Sequence, residues 1–263
     1  MRTYAFVNNK GGVGKTTSAE NVAYIFATIY KQRVLFVDAD PQGNSTRDLL
    51  PFEEAECGVA DLLKDRNEEP SQCIYTTDIP GLDIIPATDG LAQYEMEMLI
   101  SRKHPDFEAL TALLEYIAGE DLYDICIIDC PPSYSSISCI NAIAAADGII
   151  IPTDASCYSA VGMSKLVRQI DSLRGIIPNV RVVGALVTMW HNCAVVQDAE
   201  QYIREAAPIP VFQTVIRRTD KVLESTWAGR TAQEWSPFSS AARDYRQFVA
   251  ELMAKEGLSC GTV

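Results

Sequence analysis

Residues 8–17 read NNKGGVGKTT, with the glycine spacing and the terminal lysine and threonine of a phosphate-binding loop. The glycines let the backbone curl so that successive amides point inward. In such a loop Lys15 reaches the outer phosphates and the hydroxyl of Thr16 contacts magnesium. The loop joins a strand to the helix that follows it. Lys10 has none of these roles, so its presence needs a separate explanation.

Short runs rich in Val and Ile recur along the chain, each followed by a turn residue and a helix-like segment. They cover residues 4–8, 34–38, 82–86, 125–129, 148–152, 182–189 and 211–216. This pattern is typical of parallel strands buried on both faces. Residues 16–30, 158–173 and 239–255 have helical periodicity. The sequence therefore predicts a single α/β domain over residues 1–263, a doubly wound, mostly parallel sheet flanked by helices.

Composition and charge narrow the class of protein. Of the 263 residues, 48% are hydrophobic, enough for a full core, and no apolar run is long enough to span a membrane. The net charge of −13 argues against a surface that is basic all over, so any DNA contact needs a local patch. Because the loop begins so near the N-terminus, we expect no helix-turn-helix module before it. Residues 51–80 have the acidic composition of an irregular surface excursion.

The eight cysteines are scattered, without the spacing of a metal site. This favours a chain whose cysteines are all reduced, as in the cytoplasm. Cys126 and Cys130 lie in or next to an apolar run, where a cysteine is usually a small buried hydrophobic residue.

A second segment, residues 37–44, reads VDADPQGN and carries two carboxylates at the end of a predicted strand. Alternation along a strand predicts that Asp38 and Asp40 share one face, as a general base or water-orienting group requires. The alternative is that one of them only caps the next helix, a role that also suits Asn44 or Ser45. We expect Asp38 and Asp40 to be catalytic.

A third segment, residues 127–132, reads IIDCPP. An apolar strand that ends in an acid is the Walker B arrangement, in which Asp129 holds magnesium through its water shell and hydrogen-bonds Thr16. This signal is weak alone and strong in combination with the loop.

These three segments, in this order and spacing, resemble the ParA/Soj family of DNA-partitioning ATPases. That family belongs to the deviant Walker P-loop group, which includes MinD and the nitrogenase iron protein. KGGVGKTT is similar to the group's loop, DADPQGN to the ParA second box and IIDCPP to its Walker B form. Residues 184–189 (GALVTM) and 211–230 (VFQTVIRRTDKVLESTWAGR) are similar to the family's C-terminal third. The resemblance covers most of the chain and implies a cytoplasmic, nucleoid-associated ATP hydrolase that uses ATP and Mg²⁺.

The resemblance also implies a role for Lys10. In this group two subunits sandwich two ATP molecules, and the signature lysine of each reaches the phosphates bound by the other. Lys10 resembles that lysine, which would act as an arginine finger does and neutralise charge on the transferred phosphoryl oxygens. Dimerisation would then depend on the γ-phosphate.

Further site residues follow from the same resemblance. It implies nucleotide contacts from Gly11, Gly12, Val13, Gly14, Lys15, Thr16, Thr17, Pro131, Thr188, Met189, Ile216 and Arg217, those at 188–189 and 216–217 near the base. It implies a magnesium site at Thr16, Asp38 and Asp129. Asp38 is the candidate that orients the attacking water, and Asp40 the candidate that senses the nucleotide state.

Non-specific DNA and a ParB-type protein are the implied partners. Arg217, Arg218 and Lys221 form a dense basic cluster, and six such contacts in a dimer would give a salt slope of about −5. The chain departs from Soj-like proteins after Met189. There it reads WHNCA, where those proteins have an arginine-containing turn.

Other functions remain open. A ParA-like ATPase could position a protein cargo instead of DNA. A MinD-like membrane regulator needs a basic amphipathic tail, but the chain ends in GLSCGTV, so we expect no membrane partner. An iron-sulfur donor needs two cysteines near the nucleotide, and only Cys130 lies near that place. We expect the helix over 239–255 to pack in the core.

Overall fold

The computed structural model describes residues 1–50, 55–65, 69–101, 106–175, 177–178 and 180–259. Its strands are β1 (Arg2–Phe6), β2 (Val34–Asp38), β3 (Tyr75–Thr76), β4 (Leu82–Ile85), β5 (Ile125–Asp129), β6 (Gly148–Asp154), β7 (Val182–Trp190) and β8 (Val211–Arg217). They form one sheet in the order β3-β4-β2-β5-β1-β6-β7-β8. All pairs are parallel except β3 with β4, so the predicted doubly wound, mostly parallel sheet is confirmed.

Eleven α-helices lie in the described part of the chain. They are α1 (Lys15–Thr28), α2 (Asn44–Leu49), α3 (Val59–Lys64), α4 (Asp89–Ser101), α5 (Ala109–Gly119), α6 (Ile137–Ala145), α7 (Cys157–Ser172), α8 (Ala194–Ala206), α9 (Asp220–Trp227), α10 (Ala232–Trp235) and α11 (Ser240–Glu256). The three helices predicted from periodicity correspond to α1, α7 and α11 within one or two residues at each end.

Alternation along the strands divides the core between the two faces of the sheet. On β1, Tyr4 and Phe6 pack in a cluster with α1 and α11, whereas Ala5 packs in the cluster with α3 to α7. The apolar face of α11, including Phe248 and Leu252, is fully buried, as predicted. No helix among the described residues is long and apolar enough to cross a membrane.

The chain order of the strands reverses at β1. β2 lies on one side of β1 beyond β5, and β6 lies on the other side. A reversal of this kind opens a crevice at the carboxyl ends of the strands, where ligands bind in open α/β sheets. The loop that follows β1 therefore begins at this crevice.

The expectation that residues 51–80 form an irregular surface excursion is wrong for their described part. The described part of this segment is not only surface, because Val59 and Leu62 of α3 are buried in the core. The two-residue strand β3 is too short to give a periodic signal. The expectation that all cysteines are reduced is also wrong, since Cys57 and Cys73 form a disulfide with a Cα–Cα distance of 4.7 Å. The packing of α3 brings the two residues together, although 16 positions separate them.

Candidate nucleotide-binding site

The phosphate-binding loop leaves β1 and ends at the first turn of α1. Gly12 and Gly14 have φ angles of 73° and 75°, in the left-handed region that favours glycine. A Cβ atom at Gly12 would meet no neighbour within 4 Å, so its backbone angle, not lack of space, calls for glycine. Gly14 is the N-cap of α1. The loop amides and the helix N-terminus therefore face one point, an arrangement that binds phosphate.

A cleft of about 460 Å³ lies over this loop. Its lining consists of Gly11, Gly12, Gly14, Lys15, Thr16, Thr17, Glu20, Asp40, Gln42, Asn44, Arg47, Asp48, Pro132, Met189 and Thr226. Most of the predicted loop residues are in this set. Val13 is buried beneath the loop, where its carbonyl oxygen accepts a hydrogen bond from the Thr188 hydroxyl at 2.9 Å. Pro131 is buried too, and its neighbour Pro132 reaches the cleft.

Asp129 lies fully buried at the end of β5, directly beneath the cleft. Its Oδ2 accepts hydrogen bonds from the hydroxyls of Thr16 at 2.7 Å and Ser45 at 3.2 Å. Its Oδ1 is buried and has no hydrogen-bond partner among the described residues. Burial, and secondly the charge of Asp38, raise the pKa of Asp129 to about 8. An unpartnered carboxylate oxygen beside a threonine hydroxyl fits the outer shell of a magnesium ion, and a bound cation would offset the cost of ionising this acid.

Asp38 is the register partner of Asp129 on the neighbouring strand β2 and is also fully buried. Its Oδ2 accepts hydrogen bonds from the amide and hydroxyl of Thr46 at 2.8 and 2.7 Å. Its Oδ1 accepts one from the amide of Asp40 at 3.1 Å. Burial raises the pKa of Asp38 to about 6, although the Thr46 hydrogen bonds oppose the shift. Asp38 thus holds the start of α2 from below and does not itself line the cleft.

Asp40 does line the cleft, and the argument that placed it on the face of Asp38 is wrong. β2 ends at Asp38, so strand alternation does not reach Asp40. Asp40 belongs to the turn that leads into α2, where its Oδ1 accepts a hydrogen bond from the amide of Gln42 at 3.0 Å. The two acids therefore have different surroundings.

Lys10 belongs to the loop but is not part of the cleft lining. Its Nζ donates to both carboxylate oxygens of Asp154, at 2.9 and 2.8 Å, and lies 3.5 Å from the hydroxyl of Ser159. Burial would raise the pKa of Asp154, but hydrogen bonds from Lys10 and Ser159 outweigh it, and the pKa is lowered. About half of the Lys10 side chain is exposed. The second lysine of the loop is therefore held at the end of β6, outside the lining of the cleft.

Known proteins share these features over almost the whole chain. The family profile AAA_31, described as AAA domain, matches residues 1–180. The chromosome-partitioning ATPase Soj of Thermus thermophilus is 37% identical over 257 residues, covering 97% of this chain and 96% of that protein. The sporulation initiation inhibitor protein Soj of Bacillus subtilis is 34% identical, with 95% and 97% covered. The chain belongs to the ParA/Soj family of ATPases.

Solved structures agree with the family assignment. Cobyrinic acid a,c-diamide synthase of Mycobacterium smegmatis, solved with an ATP analog and magnesium, has a TM-score of 0.83 at 29% identity over 98% of this chain and 96% of that one. The septum site-determining protein MinD of Pyrococcus horikoshii, solved with Mg-ADP, shares the fold with a TM-score of 0.79 at 19% identity, over 99% of both chains. This ParA/Soj protein is an ATP hydrolase with ATP and Mg²⁺ as cofactors.

A second cleft of about 430 Å³ adjoins the first at Gly14 and Thr17. It also contains Thr188, Met189, Ile216, Arg217, Arg218, Thr219, Asp220, Val222, Leu223, Thr226 and Tyr245. The four residues that the family resemblance places near the base therefore lie together, at the ends of β7 and β8. The base contact itself stays a prediction.

The three residues of the basic cluster have different surroundings. Arg217 forms a fork with Asp244 of α11, with an Nη2–Oδ1 distance of 2.6 Å, and Asp244 is buried. Lys221 pairs with Glu224 one turn later on α9, at 2.7 Å, and both side chains are about half exposed. Arg218 is exposed, and its side chain forms no ion pair in the described part of the chain.

Sequence reasoning missed several residues of the phosphate cleft. Arg47 and Asp48 of α2 and Glu20 of α1 line it, and Thr226 reaches it from α9. Glu20 stands four residues after Thr16, hence on the same helix face, and that spacing was the one available signal. Burial, and secondly the charge of Asp48, raise the pKa of Glu20 well above its usual range. The other three come from helices whose position depends on tertiary packing.

Proposed function

We propose that this ParA/Soj ATPase forms a nucleotide-sandwich dimer, binds DNA without sequence preference in that state, and hydrolyses ATP slowly until a ParB-type partner stimulates it. The observation that carries the proposal is the direction of Lys10. Lys10 belongs to the phosphate-binding loop, yet within one subunit it pairs with Asp154 and does not line the cleft. A second subunit with its cleft facing the first would give Lys10 a phosphate to contact.

The ion pair that holds Lys10 is weak enough to be exchanged. The Lys10 and Asp154 side chains are 47% and 28% exposed. Pairs of this kind contribute at most about 1 kcal/mol. A phosphate chain of several negative charges, buried between two subunits, attracts the ammonium group more strongly because the local dielectric is low. ATP in the partner can therefore displace Asp154, which makes dimerisation depend on the nucleotide.

Within each subunit, different side chains are proposed to bind the phosphates, position the metal and orient the attacking water. Lys15 and the loop amides bind the phosphates, and Thr16 with Asp129 positions the metal, which neutralises negative charge on the phosphoryl oxygens. Asp38 orients the attacking water from below the turn. A carboxylate has about four lone-pair sites, so the three hydrogen bonds to Asp38 leave one free. Its pKa of about 6 suits a group that accepts a proton near neutral pH.

DNA binding is proposed to use Arg218 and Lys221. Arg217 is held by Asp244, and Arg218 is the exposed member of the cluster without an ion pair among the described residues. Two phosphate contacts per subunit give four in a dimer and a salt slope of about −3.6, instead of the slope of about −5 for all three residues. A monomer would show half this slope. Doubling the contacts is the physical reason that ATP would control DNA binding and place the protein on the nucleoid.

The ParB-type partner is proposed to approach with a basic segment. The net charge of −13 attracts such a segment and speeds its association, in keeping with the steering of oppositely charged partners.

The test is binding of a fluorescent non-specific duplex, followed by anisotropy with ATP and magnesium, with ADP and without nucleotide. The salt concentration is varied from about 50 to about 200 mM. Tight binding with ATP alone and a slope near −3.6 is the expected result. Equal binding in all three states would refute the dimer switch.

A second candidate function is the positioning of a protein cargo by the same ATPase cycle. The specific observation in its favour is the shortage of free cations around β8. Arg217 is paired, residues 190–194 contain no arginine, and the net charge is −13. Intact hydrolysis and dimerisation without any duplex binding would select this function over partitioning.

A further inference from the structure

Three large apolar side chains border the opening of the nucleotide clefts. Met189 at the end of β7 is 43% exposed, and Leu223 and Trp227 of α9 are 62% and 86% exposed. Leu223 and Trp227 are four residues apart and therefore share one face of the helix. We call these three residues the apolar rim.

The position of the apolar rim follows from its contacts with the clefts. Met189 lines both clefts, Leu223 lines the second, and Trp227 directly follows Thr226, which lines both. Met189 has a φ angle of 53°. Its neighbour Thr188 is anchored to the phosphate-binding loop through the Val13 carbonyl. Met189 therefore follows a residue fixed against the loop, and its side chain lies partly exposed at the opening.

The exposure of Trp227 is unusual for a side chain of this size. Trp buries a large apolar area when it has a partner, and a contiguous exposed apolar patch typically marks an interaction site. No aromatic stacking or cation–π contact to Trp227 occurs among the described residues. Since Trp227 is 86% exposed, it has no close packing against the residues that the structure describes.

We propose that the apolar rim is covered by a second copy of this chain when ATP is bound. The inference rests on the proposed sandwich dimer. A dimer in which Lys10 reaches the opposite phosphates must bring two cleft openings face to face, and the rim lies at that opening. Each copy contributes one rim, so the contact is made twice. The rim supplies the apolar core of the interface, and Lys10 supplies its nucleotide dependence.

Duplex DNA is a less suitable occupant for this surface. Its backbone presents charged phosphates, which are contacted by cations and polar groups. Leu223 and Met189 offer neither. DNA thus fits the Arg218 side of the region, and the rim fits an apolar protein surface.

The experiment compares dimerisation of the full-length wild type and Trp227→Ser by sedimentation with a non-hydrolysable ATP analog and magnesium. Truncating a central aromatic residue of an interface typically weakens association about 30-fold or more. We expect a rise of at least that size in the dimer dissociation constant. The affinity of the monomer for a fluorescent ADP should stay within about twofold, because the indole does not line the clefts.

The matched control is Tyr116→Ser. Tyr116 is 60% exposed near the end of α5, which leads into the start of β5 and so lies at the edge opposite the clefts. Its replacement should leave dimerisation unchanged. Leu223→Ser provides a second rim variant, with a smaller rise in the same constant. A rise for Trp227→Ser with unchanged ADP affinity excludes misfolding as its cause.

The possible outcomes distinguish failure of the proposed rim contact from failure of the proposed dimer. If the wild type stays monomeric with the analog, both the dimer and the rim contact are overturned. If the wild type dimerises and Trp227→Ser dimerises equally well, only the rim contact is overturned. A variant that keeps the dimer and loses duplex binding would assign the rim to DNA and likewise overturn the inference.

Discussion

The phosphate cleft and the basic cluster after β8 are both marked by short motifs. In the folded chain the motif residues of the cleft come together, whereas those of the cluster have separate partners. In the cleft, Thr16, Asp129 and Lys15 meet as the motifs predict. In the basic cluster, three neighbouring cations separate. Arg217 turns to Asp244 and Lys221 to Glu224, and Arg218 stays exposed. Cations that are neighbours in sequence therefore need not form a basic patch in space, because acidic residues of the same helix or of another one can pair with them.

The largest expected effect is the loss of ATP turnover on replacing Lys10, the second lysine of the phosphate-binding loop. Lys10→Ala should reduce ATP turnover by about 10³-fold or more, the size of an arginine-finger effect. Affinity of the monomer for nucleotide should not change, because Lys10 does not line its own cleft. Phosphate release and titration with a fluorescent nucleotide measure the two quantities.

Lys15→Ala is the comparison for that variant, and it should lose binding as well as turnover. Loss of nucleotide affinity in Lys10→Ala would mean that Lys10 acts within its own subunit. Normal turnover would remove its proposed role altogether.

Asp38→Asn should lower turnover by about 10²- to 10⁴-fold, the usual contribution of a positioned acid or base. The amide keeps the shape of the side chain and can still accept from Thr46, so ATP-dependent dimers should persist. Single-turnover kinetics and sedimentation test the two parts. An Asp38→Asn protein that hydrolyses ATP at the wild-type rate would reject Asp38 as the water-orienting group.

A comparison of Arg218→Glu with Arg217→Ala tests which arginine of the basic cluster contacts DNA. Arg218→Glu removes two phosphate contacts per dimer, and should reduce the salt slope by about 2 and the affinity by about tenfold or more. Arg217→Ala should leave the slope unchanged and cost about 1 kcal/mol of stability, because its partly exposed fork with Asp244 is lost. Anisotropy and thermal unfolding distinguish them. Equal effects on DNA binding would show that Arg217 leaves Asp244 to contact DNA.

The smallest effect is a pH dependence set by the acids beneath the cleft. The folded-state pKa values of Asp38 and Asp129 are raised to about 6 and about 8. Their stabilising contribution is therefore complete below about pH 4, the unfolded pKa, and is lost as the pH rises through those values. Without nucleotide, the melting temperature should fall by about 5 °C or more between about pH 5 and about pH 9.

Asp129→Asn should flatten the upper part of this curve, since an amide does not ionise. Magnesium with a nucleotide should do the same for the wild type by stabilising the ionised acid. A curve that is unchanged in Asp129→Asn would show that another group causes the pH dependence.

Much of the fold was predictable because parallel buried strands leave a plain apolar signal. Residues 34–38 and 125–129 match β2 and β5 without error. α3 was missed because its six residues lie within an acidic, loop-like composition. The Cys57–Cys73 disulfide was missed because its formation depends on the packing of that helix against the turn at Pro70–Cys73.

In the candidate site too, the features within one motif could be predicted, and those that depend on tertiary packing could not. Residues within one motif are held together by the backbone, so the loop, the Walker B acid and the turn after Asp38 could be assigned roles directly. The separation between Asp38 and Asp40 could not, because it depends on the residue at which β2 ends.

The sequence by itself determined the succession of the buried parallel strands, the phosphate-binding loop and the chemistry of ATP hydrolysis, since neighbouring residues carry each of these. Only the tertiary structure decided which distant groups meet. Lys10 finds Asp154 across 144 positions, and Arg217 finds Asp244 across 27. Such pairs depend on which strands and helices become neighbours in the fold, and the free energy that selects those neighbours comes from the whole core.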